Sequence, residues 1–361
     1  MKIFVNTDIV NGPWGGGNLA IKGIITYLVS KGHVVTTSLK SADIDLIFMI
    51  HPVKYLNIRK YGIDEIIDYI TLHPKTILVH RINTSGEFHR GTGNETKILL
   101  EANKNADFTV FISSFLKNLY VQKGFDINRP HRIILNGADE SIFNPEGSEQ
   151  WQEGKKIKIV THHWSSNYMK GFDIYERLDL LLGTKPYNEL FEFTFIGNVP
   201  QGLQFKNARV LQPISGVELA NTIKQHHIYI TASRNEGAGM HHIEGMRCGL
   251  PVLFLNSGAL PEYCSPYGVE FNLVNFEQKL IEIKERYFEL RKQVLNCPYS
   301  STWMATQYEE LFKELVYRRS NQNISEPNML KKIHHKMLVR TYNKLKKVNQ
   351  LIKKGKEFLT R

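Results

Sequence analysis

Short apolar runs alternate with longer amphipathic segments along the first part of the chain. The runs have the length and the β-branched content of strands, and they read KIFVN, HVVTTS, DLIFMI, TILVHRI, FTVFIS and RIILNG. A glycine-rich loop, NGPWGGGN, follows the first run, and the segment after it, LAIKGIITYLVSKG, has a helical pattern. This alternation predicts βα units, which build a parallel sheet flanked by helices.

The same alternation restarts after a polar break at residues 145–156. The second set reads KIKIVTHHW, a helical segment at 174–182, FEFTFIG, ARVLQ, a helical segment at 217–225, IYITAS and PVLFLN. Two such sets predict two doubly wound α/β domains with a cleft between them. Open α/β sheets bind ligands at the carboxyl ends of their strands, so the loops after the strands are the candidate sites.

Length and composition agree with this organisation. The chain has 361 residues, of which 42% are hydrophobic and 22% charged, as in soluble globular proteins of two domains. Cys248, Cys264 and Cys297 are too few and too scattered for a disulfide framework or a zinc site, which favours a reducing, cytoplasmic compartment. The start, MKIFVNTDIV, predicts a strand rather than a signal peptide, and no run has the length of a transmembrane helix.

The net charge of +11 is concentrated at the C-terminal end. Residues 329–361 contain eleven Lys and Arg and one acid, so they carry +10 and leave the rest of the chain close to neutral. Apolar residues recur there at three- and four-residue steps, which is typical of a basic amphipathic helix. We expect residues 330–361 to bind an anionic membrane surface. The alternatives are a helix that packs on the body or on a partner, and a flexible basic tail. With Tyr342 and Phe358 as its aromatic residues, the segment offers little for nucleic acid, which we do not expect as a partner.

The richest candidate chemistry lies in residues 235–253, NEGAGMHHIEGMRCGLPVL. Glu236 and Glu244 are eight residues apart, so on a helix they lie on roughly the same side, about 80° from each other. Gly237 and Gly239 allow backbone N–H groups to approach a ligand where a helix begins. A carboxylate accepts hydrogen bonds well from vicinal sugar hydroxyls. The alternative is an ordinary helix with an acidic cap and a solvated second glutamate.

This stretch resembles the E-x7-E signature of retaining, nucleotide-sugar-dependent glycosyltransferases of family 4. Their motif reads approximately E-G-x-G-x-x-x-x-E-A-M-A-x-G-x-P-V, and EGAGMHHIEGMRCGLPVL follows it closely. Other segments resemble the family in the same order, from GPWGGGNLAIKGIITYLVSKGHVV through FISSFLKNLY, ILNGADESIFNP, MKGFDIY and SGALPEYC to YSSTWMATQYEELF. The resemblance covers about residues 1–317 and implies the GT-B fold of two facing Rossmann-like domains.

The resemblance also implies roles for the residues of this stretch. Glu244 would bind the ribose hydroxyls of the donor nucleotide, and Glu236 would face the transferred sugar near its reacting end. Backbone donors would hold sugar hydroxyls at Ala238, Gly239 and Met240.

The phosphate site departs from the family pattern at one position. Lys170 would neutralise the diphosphate leaving group, and Gly16 and Gly17 would pack against the donor phosphates from the opposite domain. Family members usually carry an Arg about five residues before this Lys, where this chain has Ser165. A hydroxyl can bond a phosphate oxygen but supplies no charge. Either Arg234 or another cation compensates, or Lys170 works with backbone donors alone.

Four more residues follow the strand TILVH or end it. His80 stands where the family often has a His that touches the donor sugar, and the alternative is a histidine satisfied at a strand end. Arg81, His89 and Arg90 could hold an anionic acceptor, although solvated charges are also common in loops.

Metal and dinucleotide sites are not expected. His162 and His163, like His241 and His242, are adjacent, so their side chains diverge, and no carboxylate-rich motif accompanies them. ADID at residues 42–45 has D-x-D spacing but precedes the apolar strand LIFMI. NGPWGGGN is similar to a dinucleotide-binding loop, yet the second strand, HVVTTSLK, lacks the acid that would bind the adenosine ribose.

The sequence therefore predicts four regions: an acceptor-side domain at 1–150, a nucleotide-sugar-binding domain at 151–300, a closing helix at 301–319 that returns to the first domain, and a linker with the basic tail at 320–361. The family resemblance implies a retaining, metal-independent hexosyltransferase without cofactor. It would add a sugar to a glycan or lipid-linked acceptor in surface polysaccharide synthesis, such as capsule or lipopolysaccharide, at the inner face of the cell membrane. The alternatives are a nucleotide-sugar epimerase of GT-B fold and a catalytically idle sugar-nucleotide-binding protein.

Overall fold

The computed structural model describes residues 1–10, 16–55, 58–84, 86 and 94–322. The predicted acceptor residues His89 and Arg90 and the predicted basic helix at 330–361 lie outside the described residues.

The first half of the chain forms a sheet of six parallel strands in the order β2-β1-β3-β4-β5-β6. The strands are β1 (Lys2–Val5), β2 (Val34–Thr36), β3 (Leu46–Met49), β4 (Ile77–Ile82), β5 (Phe108–Phe111) and β6 (His131–Ile133). All residues of β3, β4 and β5 are buried. A parallel sheet that is covered on both faces needs such continuous apolar runs, and this is why the runs were visible in the sequence.

Helices cover this sheet. They are α1 (Gly16–Ser30), α2 (Ile63–Leu72), α3 (Glu95–Asn103) and α4 (Ser114–Gln122). Helix α1 buries Ala20, Ile21, Ile24 and Leu28, which share one side of the helix.

The second half forms another sheet of six parallel strands, in the order β12-β11-β10-β7-β8-β9. The strands are β7 (Ile157–His163), β8 (Phe191–Gly197), β9 (Arg209–Leu211), β10 (Ile228–Thr231), β11 (Val252–Leu255) and β12 (Gly268–Phe271). The helices are α5 (Phe172–Leu181), α6 (Tyr187–Leu190), α7 (Gly216–Lys224), α8 (Met240–Arg247), α9 (Leu260–Cys264), α10 (Phe276–Glu285) and α11 (Tyr287–Val294). Short 3₁₀ turns lie at Tyr168–Lys170 and Ser265–Tyr267.

The last described helix, α12 (Ser301–Ser320), returns to the first sheet. Its start is fixed by a hydrogen bond of 2.7 Å from the Ser301 N–H to the Ala138 carbonyl. A Cβ added to Gly23 of α1 would lie 1.9 Å from Ser301 Oγ, so the helices approach closely only because residue 23 is glycine. Further along, Phe312 packs against Phe48 of β3 with ring centroids 5.2 Å apart.

The two predicted doubly wound α/β sheets are confirmed. In each sheet the strand order reverses direction at one point, between β1 and β3 in the first and between β7 and β10 in the second. Loops diverge at such a point and leave a crevice at the carboxyl ends of the strands. The residues after β1, β7 and β10 therefore border one cleft between the two sheets. Within the described residues, no helix combines the length and the apolar character that crossing a membrane requires.

Candidate active site

Two helices begin at the cleft, one from each half of the chain. Helix α1 begins at Gly16 and α8 begins at Met240, and a Cβ added to Gly16 would lie 2.4 Å from Met240 Cγ. The same addition at Gly17 would meet only Asn83 Nδ2, at 3.7 Å. Unpaired N–H groups and the helix dipole give a helix N-terminus partial positive charge. Two such ends at one cleft form a favourable place for an anion.

A lysine and a glutamate meet beside these helix ends. Lys170 Nζ lies 2.7 Å from Glu236 Oε2, and the two side chains are only 18% and 8% exposed. Lys170 follows β7 and Glu236 follows β10, the strands on either side of the reversal in the second sheet. Gly171 ends the turn that presents the lysine: its φ is +90°, and a Cβ there would lie 2.4 Å from Ala232. Glycine is required at that position both by conformation and by space.

The backbone before Glu236 is held in an unusual conformation. Asn235 has a φ of +50°, which is uncommon for a residue other than glycine. The next turn supports it: the Asn235 N–H donates to Ser257 Oγ at 2.9 Å, and the Ala259 N–H donates to the Glu236 carbonyl at 2.8 Å. Gly258 fits under this loop because a Cβ there would lie 2.4 Å from the Glu236 nitrogen. Backbone strain of this kind is typical of functional sites.

The first half of the chain also holds this loop. Ser113 Oγ donates to the Gly237 carbonyl at 2.6 Å, and Asn136 Nδ2 donates to the Ala238 carbonyl at 3.0 Å. The carbonyls of Gly237 and Ala238 therefore bind side chains of the first half of the chain. Within the described part of the chain we find no acceptor for the N–H groups of Ala238, Gly239 and Met240, the three predicted backbone donors. All three residues line the cleft where α8 begins.

Glu244 lies two turns into α8 and borders the same cleft. Its Oε2 is 2.8 Å from His162 Nε2, and its side chain is 6% exposed. The sequence did not single out His162 for this contact, because 82 residues separate it from Glu244. The position of His162 at the end of a strand beside the reversal was the one signal available.

Buried histidines lie beneath the Lys170–Glu236 pair. Burial, followed by the Lys170 charge, lowers the pKa of His163 well below its ordinary value of 6.5. Burial, followed by the neighbouring His163, does the same for His241. Burial also lowers the pKa of His242 to about 4. These rings are therefore neutral at pH 7, and they leave Lys170 as the positive charge beside Glu236. Among the described residues no group of three or more His, Cys, Asp or Glu has metal-binding geometry.

The side chains of His80 and Arg81 lie on opposite faces of strand β4. His80 is fully buried, its Nδ1 lies 3.0 Å from Asn103 Nδ2 of α3, and burial lowers its pKa to about 3. Arg81 is also fully buried, but it borders the cleft, where it donates from Nη2 to Asn136 Oδ1 at 2.7 Å and from Nε to the Tyr308 hydroxyl at 3.0 Å. Successive side chains of a strand point to opposite faces. The structure therefore places His80 away from the cleft and Arg81 beside it, which is a correction to the expected position of His80.

The two residues considered at the phosphate site, Ser165 and Arg234, lie in different environments. Ser165 is exposed at the mouth of the cleft, where its hydroxyl accepts from the Asn167 N–H at 3.2 Å. Arg234 forms an ion pair with Asp173 and is not among the described residues that border the cleft. Compensation by Arg234 would therefore require it to leave Asp173.

The cleft has a volume of about 840 Å³ and takes its lining from both halves of the chain. It contains Gly16, Gly17, Arg81, Ser165, Lys170, Glu236, Ala238, Gly239, Met240 and Glu244 from the predicted set. Trp164, Asn136 and Lys22 line it as well, and the sequence did not indicate them. This volume is in the range of sites for ligands of drug or cofactor size.

Known proteins share both the sequence of one region and the fold. Residues 202–292 match the family model of glycosyl transferases group 1. An uncharacterized glycosyltransferase of Methanocaldococcus jannaschii is 25% identical over 289 residues, which are 74% of this chain and 73% of that protein.

Two solved structures show the likeness of fold. Sucrose-phosphate synthase from Thermosynechococcus elongatus is 15% identical, with a TM-score of 0.60 over 88% of this chain and 98% of that one. Anabaena HepE in complex with UDP and glucose is 14% identical, with a TM-score of 0.60 over 86% of this chain and 99% of that one. Together with the two facing sheets, these matches define the GT-B fold. The group 1 match and this fold indicate a glycosyltransferase of the GT-B type.

Proposed function

We propose that this protein is a retaining, metal-independent glycosyltransferase of family 4. It transfers a hexose-type residue from a nucleoside diphosphate sugar to a glycan or lipid-linked acceptor. The observation that carries the proposal is the buried Lys170–Glu236 pair, 2.7 Å apart, beside the N-termini of α1 and α8. A site of this charge pattern suits a substrate that combines a diphosphate with a polyhydroxylated sugar.

The diphosphate would lie between the two helix ends and Lys170. Negative charge grows on the diphosphate as the sugar leaves, and donors that are already oriented stabilise that charge without reorganising. The N–H groups at the start of α8 and α1 would supply partial positive charge in place of the arginine of the family pattern, which this chain replaces with Ser165.

Glu236 would hold the transferred sugar and Glu244 the ribose of the nucleotide. During transfer, the bond between the anomeric carbon and the diphosphate oxygen breaks, and a bond to the acceptor oxygen forms on the same face of the sugar. The acceptor proton passes to the leaving phosphate. Closure of the two halves over the donor would exclude water.

The acceptor and the cellular location rest on the sequence alone. The basic segment at 330–361 would bring the enzyme to the inner face of the cell membrane, where lipid-linked glycans of surface polysaccharides are extended. Arg81 is fully buried, so it would support the acceptor side of the cleft through its bond to Asn136 rather than hold the acceptor itself.

The test is nucleoside diphosphate release from UDP-, GDP- and dTDP-sugars, with membrane extract as the source of acceptor. Glu236→Ala and Glu244→Ala are compared with wild type and with Glu285→Ala, a control at an exposed glutamate of α10. Each reaction is repeated with EDTA. Release that is lost in the two cleft variants, kept in the control and unaffected by EDTA supports the proposal.

The anomeric configuration of the isolated product, determined by NMR, tests retention. Conversion of the donor into its epimer without acceptor would identify an epimerase instead. Binding of a donor without release or conversion would identify an idle binding protein.

A further inference from the structure

The carboxylate of Glu244 does not stand alone at the cleft. His162 is the last residue but one of strand β7, at the end that borders the cleft, and its Nε2 lies 2.8 Å from Glu244 Oε2. The two side chains are 13% and 6% exposed. A carboxylate oxygen can accept more than one hydrogen bond, so this contact leaves Oε1 and part of Oε2 for a ligand.

A buried tyrosine completes a chain of hydrogen bonds behind His162. The Tyr229 hydroxyl, on the neighbouring strand β10, accepts from the backbone N–H of His162 at 3.1 Å and lies 3.0 Å from His162 Nδ1. Burial raises the pKa of Tyr229 well above its ordinary value of 10.0, so the hydroxyl keeps its proton. The hydroxyl can therefore donate its proton to Nδ1 when Nδ1 carries no hydrogen.

This arrangement selects one tautomer of the imidazole. The Glu244 carboxylate can only accept, so the hydrogen of a neutral ring must be on Nε2, where it donates to Glu244, and Nδ1 then accepts from Tyr229. Helix α8 can lie against Tyr229 because residue 245 is glycine: a Cβ there would lie 2.4 Å from the tyrosine ring. The family motif has alanine at that place. Tyr229, Gly245 and His162 therefore form one local arrangement around Glu244.

We propose that His162, oriented by Tyr229, is a positioning residue that holds the Glu244 carboxylate ready to accept hydrogen bonds from the vicinal 2′- and 3′-hydroxyls of a ribose. The inference rests on the proposed function, in which Glu244 contacts the donor nucleotide, and it narrows the substrate class. The donor is a ribonucleoside diphosphate sugar and not a deoxyribonucleoside diphosphate sugar. A carboxylate held in one orientation discriminates between ribose and deoxyribose, because the loss of one ribose hydroxyl leaves a buried carboxylate oxygen without its hydrogen bond.

The first experiment measures binding of UDP, GDP and ADP and of their 2′-deoxy counterparts by calorimetry. The proteins are wild type, His162→Leu, His162→Gln and Tyr229→Phe. Glutamine carries an N–H group near the position of Nε2, and leucine does not. His33→Leu is the matched control, because His33 contacts Glu309 at 3.0 Å in another part of the chain, with both side chains 8% exposed.

We expect wild type to bind its preferred ribonucleotide about tenfold more tightly than the deoxy analogue. His162→Leu should lose most of this preference and raise the KM for the donor about tenfold, with kcat at saturating donor largely unchanged. His162→Gln should restore most of the preference, and the control should keep all of it. A variant that merely disturbs packing would lower stability without changing the ratio of ribo to deoxy affinity.

The second experiment does not depend on a ligand. Long-range ¹H–¹⁵N correlation of histidine-labelled protein, with His162→Gln to assign the signal, should show His162 as the Nε2–H tautomer in wild type and a shifted signal in Tyr229→Phe. If wild type binds none of the nucleotides, the proposed function fails while the NMR result still reports on His162. If wild type binds and His162→Leu keeps the full ribo preference, or if the hydrogen is on Nδ1, the positioning role is refuted.

Discussion

Glycine at residue 16 is required by the contact between the two halves of the protein. A Cβ at this position would lie 2.4 Å from Met240 Cγ and 2.9 Å from Met240 Cβ, whereas ordinary contact begins near 3.4 Å. The atoms concerned are close to the backbone of α8, so rotation of the outer methionine side chain cannot relieve the clash. Gly16→Ala should therefore push the N-termini of α1 and α8 apart by about 1 Å.

The expected loss of activity can be estimated from the free energy of overpacking. Overpacking of this kind typically costs about 1–3 kcal/mol, and a factor of ten corresponds to about 1.4 kcal/mol. Because transfer is proposed to take place with the two halves closed over the donor, kcat/KM for the donor should fall roughly 5- to 150-fold. Gly17→Ala is the comparison variant: both glycines are expected to lie against the donor phosphates, but a Cβ at Gly17 would meet only Asn83, at 3.7 Å, so the ratio of the two variants isolates the contact with Met240. Both substitutions lie in the first turn of α1, so the change in helix propensity is shared and cancels in the ratio.

The assay is the release of nucleoside diphosphate at donor concentrations below KM, measured for both variants and for the double variant Gly16→Ala/Met240→Gly. The double variant removes the atoms that clash and should recover part of the loss, as a coupled pair does. Equal kcat/KM values for Gly16→Ala and Gly17→Ala would refute the reasoning, because the two helix ends would then not be in contact during catalysis.

Three further predictions follow from the described contacts. Glu262→Gln should lower stability by about 1–2 kcal/mol and the Tm by a few degrees in thermal unfolding, because Glu262 accepts from the N–H and the hydroxyl of Ser114 at 2.7 Å each at the start of α4; an unchanged Tm would contradict this. Lys170→Met should lower kcat about 100-fold or more, with partial recovery in Lys170→Arg, and full activity of the Met variant would exclude a role in leaving-group stabilisation. Burial lowers the pKa of His226 and of His242 from 6.5 to about 4, so the unfolded chain binds protons first as the pH falls. The free energy of unfolding is therefore unaffected by these rings above pH 6.5. It falls between pH 6.5 and about 4, by up to roughly 3 kcal/mol for each ring. Urea unfolding at pH 7.5, 5.5 and 4.5 measures this loss, and a free energy of unfolding that stays constant from pH 7.5 to 4.5 would disprove it.

The sheets could be predicted because buried parallel strands are continuous apolar runs. The runs TILVHRI and FTVFIS correspond to β4 and β5, and RIILNG shows the limit of the method. Strand β6 ends at Ile133, and the polar end of the run turns into the cleft, where Asn136 bonds the Ala238 carbonyl. Sequence pattern indicates where a strand lies but not where its last residues leave the sheet.

The site was only partly readable, because its contacts join distant residues. Glu236, Glu244 and Lys170 could be singled out from local motifs, yet nothing local shows that Lys170 lies 2.7 Å from Glu236. The sequence does not show which side chains of β4 point to which face of the sheet, since both faces of the strand are buried. The family resemblance favoured His80 for contact with a donor sugar and left Arg81 as a candidate for the acceptor, whereas of these two residues Arg81 is the one that borders the cleft.

The return of α12 to the first sheet has a consequence for protein engineering. Tyr308 and Phe312 of this helix are fully buried, and Tyr308 bonds Arg81 of β4. A chimera joined at residue 150 would therefore supply the first sheet with a foreign helix and break its core. The transplantable cassette is instead the stretch from β7 to α11, residues 157–294, inserted between two segments of the recipient. Libraries that exchange this cassette between relatives would vary the second sheet and keep the recipient's own first sheet and last helix.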